Sequence, residues 1–235
     1  HTPLISSGSG NIEIAGGTVK TTLANSKATI TGEGNGTIRV SGGTVEGNIY
    51  AGEGTARLTS GTVNGNVHGG KLQGTSLTSN IILEGATITG DIYGGGDATG
   101  KVNEVNITLI SGTVRGVYGG GINNSAVGTA NVVLNGEVDI GTGNIYGGSN
   151  TTGTVDNANV YIKSGTINNV YGGGTQGGTT LNTVVTIEKE ATILENVYGG
   201  AHKATVGNTT NNQGSATVNI VGGTIKGNVY GGSDT

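Results

Sequence analysis

The sequence predicts an all-β chain wound as a parallel β-helix, and three observations carry that prediction. A unit ending in Asn-Val-Tyr-Gly-Gly recurs along the chain. Inside each unit apolar residues alternate with polar or small ones, and 50 glycines in 235 residues gather where the units turn. Stacked repeats, each burying a thin apolar strip against the next, give this pattern. No segment carries the three-to-four spacing of an amphipathic helix.

The last copy shows the unit complete: Val218 and Ile220 alternate, Gly223-Thr224-Ile225 follows, and Asn228-Val229-Tyr230-Gly231-Gly232 closes it. The Gly/Ala-Thr-Val/Ile element recurs at Thr18, Thr44, Thr62, Thr87, Thr113, Thr166, Thr192 and Thr224, and a ninth copy carries Glu137 in that place. The aromatic element puts Tyr50, His68, Tyr93, Tyr118, Tyr146, Tyr171, Tyr198 and Tyr230 in one register. In the first copy Thr22-Leu23-Ala24 stands there instead, as expected of an atypical terminal repeat.

Each unit reads as three short strands: an alternating segment such as Ile107 and Leu109, a Thr-Val segment, and an Asn-Val-Tyr segment. β-Branched residues favour the pleated surface, and the glycines between strands supply turns or close backbone approach. Insertions follow the Tyr-Gly-Gly, as in 94–103 and 199–208, so the loops should share one corner of the stack. Residues 1–235 are therefore expected to form a single solenoid domain of nine coils over roughly 11–233, about 43 Å long at about 4.8 Å per coil. A propeller blade needs about 40 residues, more than these units supply. A left-handed hexapeptide solenoid needs a six-residue apolar recurrence, which is missing, so the right-handed form is expected. The chain opens His-Thr-Pro and stops inside a repeat, the pattern of a piece of a longer protein.

Composition excludes several classes. Collagen needs glycine at every third position with abundant proline, and the chain has one proline; a Gly/Ser linker lacks this supply of Val, Ile and Leu. A net charge of -4 without any basic run disfavours nucleic acid as a partner. No apolar stretch reaches the length of a membrane span, so no membrane insertion is expected of this segment. The absence of cysteine excludes disulfide staples and thiolate metal sites.

The Gly-Thr-Val-x-Gly-Asn-Val-Tyr-Gly-Gly units resemble the repeats of very large secreted or surface-anchored bacterial proteins, and more distantly the β-helical passenger domains of autotransporter adhesins. The resemblance covers about residues 11–233. It implies an extracellular stalk or adhesive rod, with polysaccharide or a host surface as partner and end-to-end or lateral self-association. The parallel β-helix also houses polysaccharide lyases and glycoside hydrolases, so an enzyme of that class is the alternative, and a structural spacer a second one.

The candidate binding strip is the aromatic register itself, Tyr50, His68, Tyr93, Tyr118, Tyr146, Tyr171, Tyr198 and Tyr230. With Val or Ile pointing inward, these rings fall on the other side of the strand, one per coil. Two uses are open: rings lying against sugar faces, or rings stacked on one another beneath the Gly-rich loops. Asn48, Asn66, Asn144, Asn169, Asn196 and Asn228, with Asp91 in one rung, form a second row that reads as a structural ladder. The threonine row offers one hydroxyl per coil between charged neighbours such as Arg115 and Lys226, a poor match to an ice lattice. Catalysis by β-helix hydrolases needs clustered carboxylates. The fifteen acids are scattered, and the closest pair, Glu188 and Glu190, reads as a solvated turn. Neither His68 nor His202 has a histidine or cysteine nearby in sequence, so no metal and no cofactor is expected.

Overall fold

A computed structural model describes residues 5–20, 28–71, 74–208 and 213–234, and among these there is strand and turn but no helix. Every pairing between named strands is parallel and joins one coil to the next, which makes the chain a β-solenoid. It makes about seven complete turns rather than nine. The end coils are split into short separate strands, Ile12–Ile14 with Thr18–Val19 at one end and Ser215–Ile220 with Thr224–Ile225 at the other.

Two sheets wall the solenoid. The first stacks ten short strands, from Ile5–Ser7 and Ala28–Gly32 through the Asn-Val-Tyr segments to Val229–Tyr230. The expected Thr22-Leu23-Ala24 rung lies outside the described residues; Thr31 is the residue paired with Tyr50, and Ser6 is paired with Thr31. The stack thus begins before residue 11.

The second sheet corrects the picture of three short strands. The alternating segment and the Thr-Val segment run on as one bent strand, as in Thr37–Val45, Thr55–Val63, Lys101–Thr113, Thr154–Ile167 and Thr179–Ile193. The bend appears as register shifts between Leu109, Ser111 and Thr113 and between Ile162 and Ser164. The glycine before the threonine turns with positive φ, +71° at Gly43, +113° at Gly112 and +90° at Gly165. A side chain there would be strained.

Regular stacking sorts the interior into columns. Val40, Leu58, Leu83, Leu109, Leu134, Ile162 and Ile187 occupy one column, and Ile49, Val67, Ile92, Val117, Ile145, Val170 and Val197 another; all are sealed from solvent. Each such side chain contributes about 1.5–3 kcal/mol by leaving water. At the Gly-Gly corner the backbone continues the ladder, with Gly95 N–H donating to Gly120 O, Gly120 to Gly148, Gly148 to Gly173 and Gly173 to Gly200. A Cβ on Gly94, Gly119, Gly147 or Gly172 would fall under 3.0 Å from the carbonyl oxygen of the glycine one coil on, which is why the doublet recurs.

The ninth threonine rung is also corrected. Thr113 pairs with Asp139, not Glu137, because this coil is long: eleven residues separate Leu134 from Ile145, against eight from Leu109 to Val117. Val138–Asp139 pairs with the coil before and not with Thr166–Ile167 after it. The side-chain amide of Asn168 crosses part of that gap, donating to Gly141 O at 2.9 Å and Gly143 O at 3.3 Å.

Candidate functional site

The eight residues of the aromatic register do come together. Successive ring centres are 4.5 Å apart from Tyr50 to His68, 5.1 Å to Tyr93, 5.1 Å to Tyr118, 5.0 Å to Tyr146, 4.9 Å to Tyr171, 4.7 Å to Tyr198 and 4.9 Å to Tyr230. The planes differ by 1–19°. Coil spacing fixes this geometry, since in-register strands about 4.8 Å apart bring equivalent rings face to face.

The strip is covered. Tyr50, His68, Tyr93, Tyr146, Tyr171 and Tyr198 are buried, Tyr118 is half-buried, and only Tyr230, on the last rung, is 43 % exposed. Loops from the Gly-Gly corner reach back over the rings. The Tyr50 hydroxyl donates to Asp97 Oδ2 at 3.4 Å, and Asn150 Nδ2 donates to the Tyr93 hydroxyl at 3.0 Å from two coils on. Tyr146 accepts from Asn144 Nδ2 at 3.0 Å. Burial pushes the hydroxyl pKa values of Tyr50, Tyr93, Tyr118 and Tyr171 well above the ordinary tyrosine range. Ring faces inside the stack are occupied by neighbouring rings, so contact with a ligand there would require the loops and the stack to open.

His68 breaks the chemistry of the row without breaking its stacking. It is sealed from solvent, neither ring nitrogen makes a well-formed hydrogen bond, and burial lowers its pKa to about 4. The imidazole is therefore neutral at neutral pH.

The asparagine row is structural, as expected. Asn48 Oδ1 accepts the backbone N–H of Asn66 at 2.9 Å, Asn66 Oδ1 that of Asp91 at 3.0 Å, Asn144 Oδ1 that of Asn169 at 3.1 Å, and Asn196 Oδ1 that of Asn228 at 2.8 Å. Each amide closes a turn of the next coil. Asp91 is saturated differently: Arg115 donates Nε to Oδ1 at 2.9 Å and Nη2 to Oδ2 at 2.5 Å, and the Tyr93 hydroxyl donates to Oδ2 at 2.9 Å. That carboxylate is buried, while most of the Arg115 side chain lies in solvent.

His202 has a partner that local sequence does not show. Its Nδ1 lies 2.8 Å from Asp234 Oδ2, and the two residues form a backbone bridge between adjacent loops. Glu188 and Glu190 border one hollow with Lys163 and Lys189, so cations share their surroundings. Among the described residues no three His, Cys, Asp or Glu side chains gather as a metal ion requires.

The outer face of the bent-strand sheet carries ladders that the aromatic motif overshadows. Asn80, Asn106, Asn131 and Asn159 form an amide chain, each Nδ2 donating to the Oδ1 one coil below at 3.2, 2.9 and 2.9 Å. Beside it run Ile82, Thr108, Val133 and Tyr161, the one tyrosine outside the aromatic register. The signal was present in sequence: in each unit the residues between the inward Ile, Val and Leu must face outward. The chain matches no protein family, no curated protein and no solved structure.

Proposed function

We propose that this chain is a non-enzymatic β-solenoid rod of a secreted or cell-surface protein, a stiff scaffold whose outer surface adheres to carbohydrate or to a host surface. The observation that carries the proposal is the aromatic spine, stacked without interruption from Tyr50 to Tyr230 alongside two parallel sheets. From Tyr50 onward each coil is locked to the next by backbone bonds, a ring contact and an apolar column, so bending the rod breaks several contacts at every joint. Adhesion falls to the outer faces, where rows of amides and hydroxyls repeat from coil to coil.

A spacer without a ligand is the second reading, favoured by the burial of the spine. Exposure of the chain to a panel of immobilised polysaccharides separates these readings. Retention with no oligosaccharide released is the result expected of an adhesive rod. Release of oligosaccharide makes the chain an enzyme, and passage through every matrix leaves the spacer.

A further inference from the structure

We propose that the outward side of the strand Thr154–Ile167 binds a short, uncharged, hydroxyl-rich glycan laid along the strand from a hollow at Asp156 to the ring of Tyr161. The proposal rests on the carbohydrate reading above and gives it an address away from the aromatic spine.

Four features converge on this strand. At its start lies an open hollow of about 480 Å³ lined by Thr154, Asp156, Thr179, Leu181, Thr205 and Asn208. This is within the size range of small-ligand sites, and hydroxyls and a carboxylate surround the apolar side chains of Val155 and Leu181. Next along the strand, Asn157 accepts from Asn182 Nδ2 at 3.1 Å, and its own Nδ2 donates to no protein group. Two residues on, Asn159 ends the outer amide chain. It donates to Asn131, but its Oδ1 accepts nothing, because the residue paired above it is Val184. An amide that already donates within a hydrogen-bonded chain is polarised towards accepting, so this oxygen is primed for an external hydroxyl. Two residues further, Tyr161 stands half-buried between Val133 and Thr186, outside the spine.

Asn157, Asn159 and Tyr161 face the same way at spacings of about 6.6 Å. A free donor, a free acceptor and an aromatic surface thus line up beside a polar hollow. Sugars present this combination: hydroxyls that donate and accept, and a C–H face that lies on a ring. Charge supports an uncharged ligand, since Asp156 at one end and Lys163 at the other are of opposite sign, and Lys163 and Lys189 share their hollow with Glu188 and Glu190.

Calorimetric titration of the whole chain with neutral tetra- to hexasaccharides, and with anionic ones of equal length, tests the site. Binding of a neutral glycan is expected, with Tyr161→Ala and Asn159→Ala each weakening it about tenfold or more, the loss of one anchoring contact. Tyr161→Phe should keep most of it, and Tyr118→Phe, within the aromatic spine, all of it. Because Tyr161 and Asn159 face outward, the melting temperature of each variant shows that the fold is retained. Undiminished binding by Tyr161→Ala and Asn159→Ala overturns this site and leaves the carbohydrate reading standing. Preference for the anionic set overturns the assigned ligand class. No binding of either set by the unmodified chain overturns the site and the carbohydrate reading together.

Discussion

His68 lies face to face on Tyr50, with ring centres 4.5 Å apart and planes 7° from parallel, yet neither of its nitrogens makes a well-formed hydrogen bond. Shape admits an imidazole to the tyrosine stack, while burial forbids it a charge. Its pKa falls from 6.5 in the unfolded chain to about 4 in the fold, so between those values the unfolded state binds more protons. Stability is full above pH 6.5, declines as pH falls towards 4, and levels off below. The loss amounts to about 3 kcal/mol, from roughly 1.4 kcal/mol per pKa unit. Urea unfolding at pH 7 and pH 4 should show this slope, and His68→Tyr should remove His68's part of it.

Asp91 provides a second prediction. Arg115→Ala removes both guanidinium bonds and leaves a buried carboxylate held by the Tyr93 hydroxyl. The expected cost is about 2–4 kcal/mol, towards the low side of a broken buried pair because Arg115 itself is solvated. The double variant Arg115→Ala, Asp91→Asn should recover part of that loss in thermal unfolding, since the orphaned charge is then gone.

A doublet glycine can be tested against a glycine outside the doublets. A methyl group on Gly147 meets the backbone oxygen of Gly172 and the side chain of Ala158, whereas one on Gly10 meets nothing within 4 Å. Gly147→Ala should therefore lower stability by about 2 kcal/mol or more, and Gly10→Ala by less than about 0.5 kcal/mol. Denaturant midpoints at equal slope decide it.

Asn168 replaces missing backbone pairing where the threonine row is interrupted. Asn168→Ala frees two carbonyls, Gly141 and Gly143, and should cost about 1–2 kcal/mol. Hydrogen exchange should quicken locally around 136–143, with little change at the distant Val67–His68 rung.

Residues such as Val132 and Leu134, or Asn228 and Tyr230, made the parallel stack legible, because period-two alternation and a recurring motif fix both face and register. The bent strand was not legible. Glycine before threonine signals a turn, but not whether the ladder continues through it. Glu137 takes the threonine place in sequence because motif matching keeps Gly-x-Val together, whereas the folded coil keeps backbone pairing, puts Asp139 in the rung and lets its extra residues bulge. The aromatic row was plain, but its cover was not. Asn150 reaches Tyr93 across 57 residues, and no local pattern encodes a loop leaning back over two coils. Tyr161 and Asn159 were visible as outward residues, yet their significance depends on Val184 standing where the amide chain would continue.

In the proposed rod the covered spine gives the stiffness, and any ligand meets the surface elsewhere. Replacing Tyr93, Tyr118 and Tyr146 together with leucine tests this most directly, with melting temperature and polysaccharide retention measured on the same folded sample at low temperature. The expected result is a melting temperature lowered by ten degrees or more, at about 1–2 kcal/mol lost per stacked ring, with retention unchanged. An unchanged melting temperature with retention abolished would contradict it and make the tyrosines the binding surface.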